Sequence, residues 1–374
     1  MIKILHVLAG ADVGGISTVV LNYYSFIDKQ KFHFDLAITA DKIGLNGKKM
    51  QDMGANIYKL PLKSKGLKAY EKQLEKIIKE NSFHAIHVHD SETSYVTLRI
   101  AKKNGIPCRI AHAHTASPYI GLKSNLRRIS GCIFNSIFAT DIVGCGKLAG
   151  EKIFGKWNMK SKKATILPNA IDTEKFYFND EDRKKMRKEL SVEEKFVIGM
   201  VARISYAKNI PYAIELFEKI KDKISNACLI IAGSGEDEEK LKYVINRSKY
   251  CNDILFLGRR SDADKLYQAF DLYFMPSLYE GFPVAGVEAM ATGLPILLSD
   301  TITTELEFGS AVKYLPLNDK DAWVESAFSF LHDNYRKQRT HEVKNNGLDI
   351  RNTVATLEQI YLKYESKYKR IKYE

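Results

Sequence analysis

The sequence predicts an α/β protein built from two tandem, doubly wound, Rossmann-like domains, each a parallel sheet flanked by helices. Three observations lead there. The chain has 374 residues, too many for one ordinary core. Short β-branched runs alternate with amphipathic stretches from the first residues onward. The alternation stops at a polar, charged stretch near the middle and then starts again. Repeated strand, helix, strand order implies parallel strands joined by right-handed crossovers.

In the first series the expected strands are KILHVLA (3–9), FHFDLAIT (32–39), AIHVH (85–89), CRIAHAH (108–114) and DIVGC (141–145), with helical patterns at 67–80 and 96–104 between them. Residues 168–194 are polar and poor in strand signals, so they read as a linker carrying a small helix. The second series follows with FVIGMV (196–201), CLIIAG (228–233), ILFLG (254–258), DLYFM (271–275) and PILLS (295–299). The boundaries expected are 1–170 for an N-terminal domain and 171–350 for a C-terminal domain. Residues 351–374 follow, with the amphipathic TVATLEQIYLKYESKYKR folding back towards the first domain. Two such sheets place a cleft between their strand C-terminal ends, where open α/β sheets bind ligands.

Composition narrows the function classes. No segment reaches the ~18 apolar residues of a spanning helix, and no cleavage-site pattern follows the N-terminus, so a cytoplasmic protein is expected. The five cysteines are widely spaced and mostly in apolar runs, which reads as reduced core residues and not as a disulfide framework. Residues 1–170 hold 26 Lys+Arg against 12 Asp+Glu, a net +14, while 171–374 hold 31 against 33. That field attracts polyanions, or else reflects lysine-rich solvated helix faces. Neither a Cys/His finger nor an aromatic RNA-binding motif is present, and no nucleic-acid partner is expected.

The chemistry concentrates around SLYEGFPVAGVEAMATGLPIL (277–297). A strand, a loop and a helix opened by Pro283 at its first position and closed by Gly293 would aim a helix N-terminus, a natural anion site, at the cleft. Glu280 in the loop and Glu288 in the helix could each accept two hydrogen bonds from a vicinal diol. Arg203 and Lys208 in MVARISYAKNI follow a strand and could converge on a phosphate, and AGSGEDEEKLK supplies a glycine turn at Gly233–Gly235. Glu288 sits in an otherwise apolar helix and needs a partner there.

Taken in order, GADVGGISTVV, ILPNAIDTEKF, VARISYAKN, LFLGRRSD and EGFPVAGVE resemble the retaining, nucleotide-sugar-dependent glycosyltransferases of family four, which have the GT-B fold. The resemblance covers nearly the whole chain. It implies that Gly14 and Gly15 line the donor phosphates or the acceptor site, that Arg203 and Lys208 hold the diphosphate, and that Glu280 takes the transferred sugar's hydroxyls. It further implies that Glu288 binds the ribose, that Phe282, Pro283 and Val284 border the donor, that Gly233 lies in the donor turn, and that Arg259 and Arg260 lie where the base is read. Glu305 is close to a further acidic position of the family. Two positions depart from the pattern: Ala170 replaces a glycine in PNGID, and Pro283 removes a backbone N–H that could touch the donor.

Histidines pair along strands: His87 with His89, and His112 with His114, share faces because side chains alternate. Polar strand ends are preferred here over a metal site. His114 is the exception, because the resemblance places a histidine near the transferred sugar, a role for which His112 competes. The function implied is transfer of a hexose from a nucleotide diphosphate sugar, a UDP-sugar by expectation, to a glycan or lipid-linked acceptor in surface polysaccharide biosynthesis. No metal or other cofactor is expected. The segment 117–134, with Tyr119, Ile120, Leu122 and Leu126 beside Lys123, Arg127 and Arg128, is the candidate contact with an anionic membrane, unless its apolar face packs on the sheet. The rivals are a nucleotide-sugar epimerase of the same fold, a glycosidase, and a non-enzymatic basic protein binding membrane or nucleic acid.

Overall fold

The computed structural model describes all residues except 13, 91, 92, 120, 332–335, 337, 338 and 374, and describes 371–373 by backbone alone. Ile120 of the candidate membrane segment therefore lies outside the described residues. The chain forms two compact units, Met1–Asn169 with Ile350–Glu374, and Ala170–Asp349.

The first unit is a seven-stranded sheet in the order β3 (Ile57–Lys59), β2 (Phe32–Ile38), β1 (Ile2–Leu8), β4 (Ala85–Val88), β5 (Cys108–Ala113), β6 (Asp141–Gly144), β7 (Ala164–Ile166). The second is six-stranded: β10 (Ile254–Phe256), β9 (Ala227–Ala232), β8 (Phe196–Val201), β11 (Leu272–Met275), β12 (Ile296–Ser299), β13 (Val312–Leu315). Every neighbouring pair is parallel. The central strands are buried along nearly their whole length, β9 at all six residues, because helices cover both faces of each sheet. Strand order reverses between β1 and β4 in one sheet and between β8 and β11 in the other. At such a reversal the outgoing loops diverge and leave a crevice beyond the strand ends.

The ten expected strands are present. The sequence reading missed β3, β7 and β13, which are three or four residues long and largely unburied, so no buried run marks them. The stretch 168–194 holds the boundary between the units, at Asn169, and the small helix expected there. Its helix Asp180–Glu189 is capped by Asn179, whose Oδ1 accepts from Asp182 N at 3.0 Å. Arg187 Nη1 donates to Asp271 Oδ2 at 3.0 Å, and Arg183 pairs with the other oxygen of the same carboxylate. Two arginines on one carboxylate tie this polar segment to the entrance of β11, so it belongs to the second unit.

The helix Ile350–Leu362 completes the first unit's core, where Val354, Leu357 and Tyr361 join Tyr23, Tyr24 and Phe34. Lys363 Nζ donates to Asp141 Oδ1 at 3.0 Å beyond its end. With this segment included the first unit holds 32 Lys+Arg against 15 Asp+Glu, a net +17, and the second holds 25 against 30.

Candidate active site

The second unit's crevice is assembled by the loops leaving β8 and β11. A 3-10 turn at Tyr206–Lys208 follows β8, and Leu278 N donates to Ala207 O at 2.8 Å, which ties the two loops together. Tyr273 OH, from within β11, donates to Val201 O at 3.0 Å, and Thr301 Oγ1 donates to Ser277 O at 2.9 Å. These bonds hold Lys208 against Glu280. Lys208 Nζ forms an ion pair with Glu280 Oε1, and Ser277 Oγ donates to the same oxygen at 2.7 Å. Both side chains are mostly buried, at 20% and 12% exposure, so their attraction is only partly screened by water.

Arg203 is placed differently from the sequence expectation. It is 71% exposed and its Nε donates to Glu236 Oε2 at 2.9 Å, so in this structure it does not join Lys208 around one point. Glu236 belongs to the glycine turn after β9. Gly233 lies at φ +144°, and a Cβ there would come within 1.8 Å of Ala202 O. The turn thus needs glycine to pass against the loop leaving β8, quite apart from any ligand.

The helix Val284–Ala291 begins one residue later than expected. Pro283 is its cap, with φ −83° and ψ 68°, and is not its first helical residue. Val284 N donates backwards to Phe282 O at 3.0 Å, so the turn is closed by Phe282, which is itself buried. Glu288 has the partner its apolar helix demands, because Tyr267 OH donates to its Oε2 at 2.8 Å. Burial still pushes the Glu288 carboxyl up to about 7, opposed by that hydrogen bond and by the charge of Lys175.

Of the remaining donor candidates, Arg260 is bidentate to Asp262, at 2.8 and 2.7 Å, and also reaches Glu189 at 3.1 Å, while Arg259 is exposed. Glu305 accepts from Thr303 Oγ1 at 2.7 Å. Sequence reasoning missed Ser277, Tyr267 and Thr301. Ser277 opens the quoted motif, but no sequence signal pairs a tyrosine twenty-one positions away with Glu288.

In the first unit Gly14 and Gly15 stand at the start of the helix Gly15–Phe26, just beyond β1, and both are exposed. A Cβ on either would meet nothing within 4 Å. Packing among the described residues does not require glycine at these positions. His114 follows β5 and approaches His89 at 2.7 Å, while His112 approaches His87 at 3.1 Å. The two pairs are not separate faces but one cluster, extended by His6 from the middle of β1, which the sequence reading overlooked. Ring nitrogens of His6, His87 and His89, and of His89, His112 and His114, lie within 4.8 Å of one another in each set. Burial pushes all five imidazoles down, His114 to about 3.

The helix Leu122–Phe138 carries Leu122, Leu126, Ile129, Ile133 and Ile137 exposed, at spacings that line one face, and buries only Gly131 and Asn135. Its apolar face therefore does not pack onto the sheet, and the helix rests instead against the helices Ser94–Lys103 and Lys147–Phe154. Beside it, a cavity of about 340 Å³ is lined by Asn125, Arg128, Lys152 and Lys156 and by the acidic Glu151, among others.

Comparison with known proteins bears on the family and the fold. Residues 13–175 match the profile of Glycosyltransferase Family 4, and residues 181–348 that of Glycosyl transferases group 1. EpsF of Bacillus subtilis is 32% identical over 334 residues, covering 87% of this chain and 86% of that one. The UDP-Gal:alpha-D-GlcNAc-diphosphoundecaprenol alpha-1,3-galactosyltransferase of Escherichia coli is 25% identical over 96% of this chain and 97% of its own. Among solved structures, Anabaena HepE in complex with UDP superposes with a TM-score of 0.80 at 17% identity, covering 96% of this chain and 99% of that one.

Proposed function

The chain belongs to glycosyltransferase family 4 and has the GT-B fold, and on that premise we propose that it transfers a hexose from a UDP-sugar, with retained anomeric configuration, to a lipid-linked glycan in surface polysaccharide assembly. The observation that carries the reading is the Lys208–Glu280 pair held at the strand-order reversal of the second sheet. A diphosphate leaving group develops negative charge, and a preorganised cation beside it stabilises that charge more than water can. Lys208 supplies the cation. Arg203 adds a second when it leaves Glu236 for the diphosphate. Glu280 is then free to accept sugar hydroxyls, and Glu288 accepts the ribose diol. Balanced in this way, the leaving group needs no divalent metal.

The donor and acceptor of the E. coli relative support a UDP-sugar and a diphospholipid-linked saccharide for this chain. Gly14 and Gly15 of the first unit are assigned to the donor phosphates or the acceptor, and His114 to the transferred sugar. The exposed apolar face of Leu122–Phe138, flanked by Lys123, Arg127 and Arg128 on a unit of net +17, supports peripheral attachment to an anionic membrane. Among the described residues no helix is long and apolar enough to cross one. The basic cavity beside that helix suits the acceptor's phosphates.

Thermal unfolding in the presence of each nucleoside diphosphate tests the donor, because a ligand that binds only the folded state raises the midpoint. UDP and a UDP-hexose should protect, and ADP and GDP should not. Product analysis with and without a diphospholipid-linked saccharide separates a transferase from an epimerase of the same fold, which would turn over the sugar nucleotide alone.

A further inference from the structure

The histidine cluster of the first unit is one hydrogen-bonded network with Tyr361 at its centre. On one side Tyr361 Oη lies 2.9 Å from His87 Nδ1, and His87 Nε2 lies 3.1 Å from His112 Nδ1. On the other, Tyr361 Oη lies 3.4 Å from His6 Nε2, His6 Nδ1 lies 3.0 Å from His89 Nε2, and His89 Nδ1 lies 2.7 Å from His114 Nε2. The two branches end at His112 Nε2 and His114 Nδ1, both buried and both without a partner among the described residues. The two end rings sit side by side, with centroids 4.0 Å apart.

We infer that Tyr361 couples the two branches so that these open ends are always opposite in kind, one an N–H donor and one a bare nitrogen, and that together they form a site for a single O–H group. The inference follows from counting protons. A neutral imidazole carries one N–H and one lone pair, and the tyrosine hydroxyl carries one proton. If Tyr361 donates to His87, then His87 must donate from Nε2 to His112, leaving Nε2–H at the open end. Tyr361 then accepts from His6 Nε2–H, His6 from His89 Nε2–H, and His89 from His114 Nε2–H, leaving His114 Nδ1 bare. All five histidines are then Nε2–H tautomers. If Tyr361 donates to His6 instead, all five are Nδ1–H and the ends exchange roles. These two arrangements satisfy every bond, and any mixture leaves a buried group unpaired.

The neutrality on which the count rests has a physical source. His6, His87, His89 and His112 are between 0% and 3% exposed, and among the described residues no carboxylate hydrogen-bonds to any ring of the network. Burial accordingly holds the imidazoles well below their ordinary pKa.

One donor beside one acceptor selects a ligand. A carboxylate or phosphate needs donors at both ends, and an ammonium or a metal ion needs lone pairs at both. A hydroxyl or a water satisfies one of each and closes the network into a ring. Around that ring each group can pass one proton on and take one up, so the ends exchange roles with no net charge formed. The O–H belongs either to a buried water or to a sugar hydroxyl. Only the second source rests on the transferase reading.

Histidine 15N shifts of the full-length protein at pH 7 test the count directly. The five rings should be neutral and share one tautomer. Mixed tautomers, or an imidazolium among the five, overturn the inference, as does a stoichiometric metal ion whose removal by chelator shifts these rings. Tyr361→Phe removes both the proton and the acceptor between the branches, so both inner nitrogens become bare. The expected pattern is Nε2–H at His87 and His112 with Nδ1–H at His6, His89 and His114, a change that loss of packing alone does not produce. A shared tautomer retained in the folded variant overturns the role of Tyr361. If the variant fails to fold, the wild-type pattern still decides the count. Titration with UDP-glucose and with UDP separates the sources. A shift of His112 Nε2 and His114 Nδ1 with UDP-glucose alone marks a sugar hydroxyl, and a cross-peak from either nitrogen to water, unchanged by both, marks a bound water. Failure of UDP to bind at all would count against the donor assignment and leave the tautomer result intact.

Discussion

Lys208 and Glu280, seventy-two positions apart, form an ion pair at the C-terminal side of the second sheet, with Ser277 Oγ donating to the same carboxylate at 2.7 Å. The pair gives each residue a resting partner. Glu280→Gln keeps the shape but removes the negative charge, and Lys208→Ala leaves the carboxylate with Ser277 alone. Each should lower transfer at saturating donor by about 10²–10³-fold, the scale for loss of one preorganised electrostatic group. Both variants should remain folded by circular dichroism. Near-normal turnover in either removes that residue from the site.

Glu288 titrates near neutrality, and the sign of its effect follows from burial. Its folded carboxyl binds a proton more tightly than the unfolded chain does, so stability falls as pH rises from the ordinary glutamate range to about 7 and is level beyond. Glu288→Gln should therefore raise the unfolding midpoint at pH 8 and change it little at pH 4. A ribose diol favours the ionised form, so UDP affinity should tighten as pH rises through 7 and weaken in the variant. Calorimetry across pH checks both. Unchanged UDP binding in Glu288→Gln ends the ribose assignment.

Gly233 and Gly15 separate packing from ligand contact. Alanine at 233 meets Ala202 O at 1.8 Å and takes a left-handed backbone, which should cost on the order of 3 kcal/mol in urea unfolding. Alanine at 15, in open space at a helix start, should leave stability unchanged or slightly higher. If Gly15 lines the donor phosphates or the acceptor, Gly15→Ala should nonetheless lower transfer. Full activity there shows that nothing approaches it closely.

Metal independence is the fourth expectation. Transfer should persist in a chelator. A complete loss that manganese or magnesium restores would reassign the charge balance from Lys208 and Arg203 to an ion.

Membrane attachment is read by sedimentation with vesicles containing anionic lipid. Wild type should bind at low salt and be released at high salt, because the attraction is screened within about 10 Å at 0.1 M. The triple Lys123, Arg127, Arg128 to Ala variant should bind less, and Leu122→Gln with Leu126→Gln should weaken binding at every salt concentration. An unaffected triple variant removes the helix Leu122–Phe138 as the contact.

Much of this was legible in the chain because its signals are local. Alternating apolar runs marked ten strands, and the spacing from Glu280 to Glu288 marked a loop and a helix. Short edge strands left no such trace, and Pro283 proved to be a cap because its neighbour Phe282 closes the turn.

By itself the sequence determined the α/β class, the two series of parallel strands, the family, and the residue types available for holding a sugar nucleotide. Those follow from periodicity and from motifs a few residues long. Only the tertiary structure decided which groups meet: Lys208 with Glu280, Arg203 with Glu236, Tyr267 with Glu288, and His6 and Tyr361 with four other histidines. Partnership between side chains tens or hundreds of positions apart depends on strand order and on the loops that leave the strands. Such distances are set by the packing of the sheet, and no local pattern encodes them.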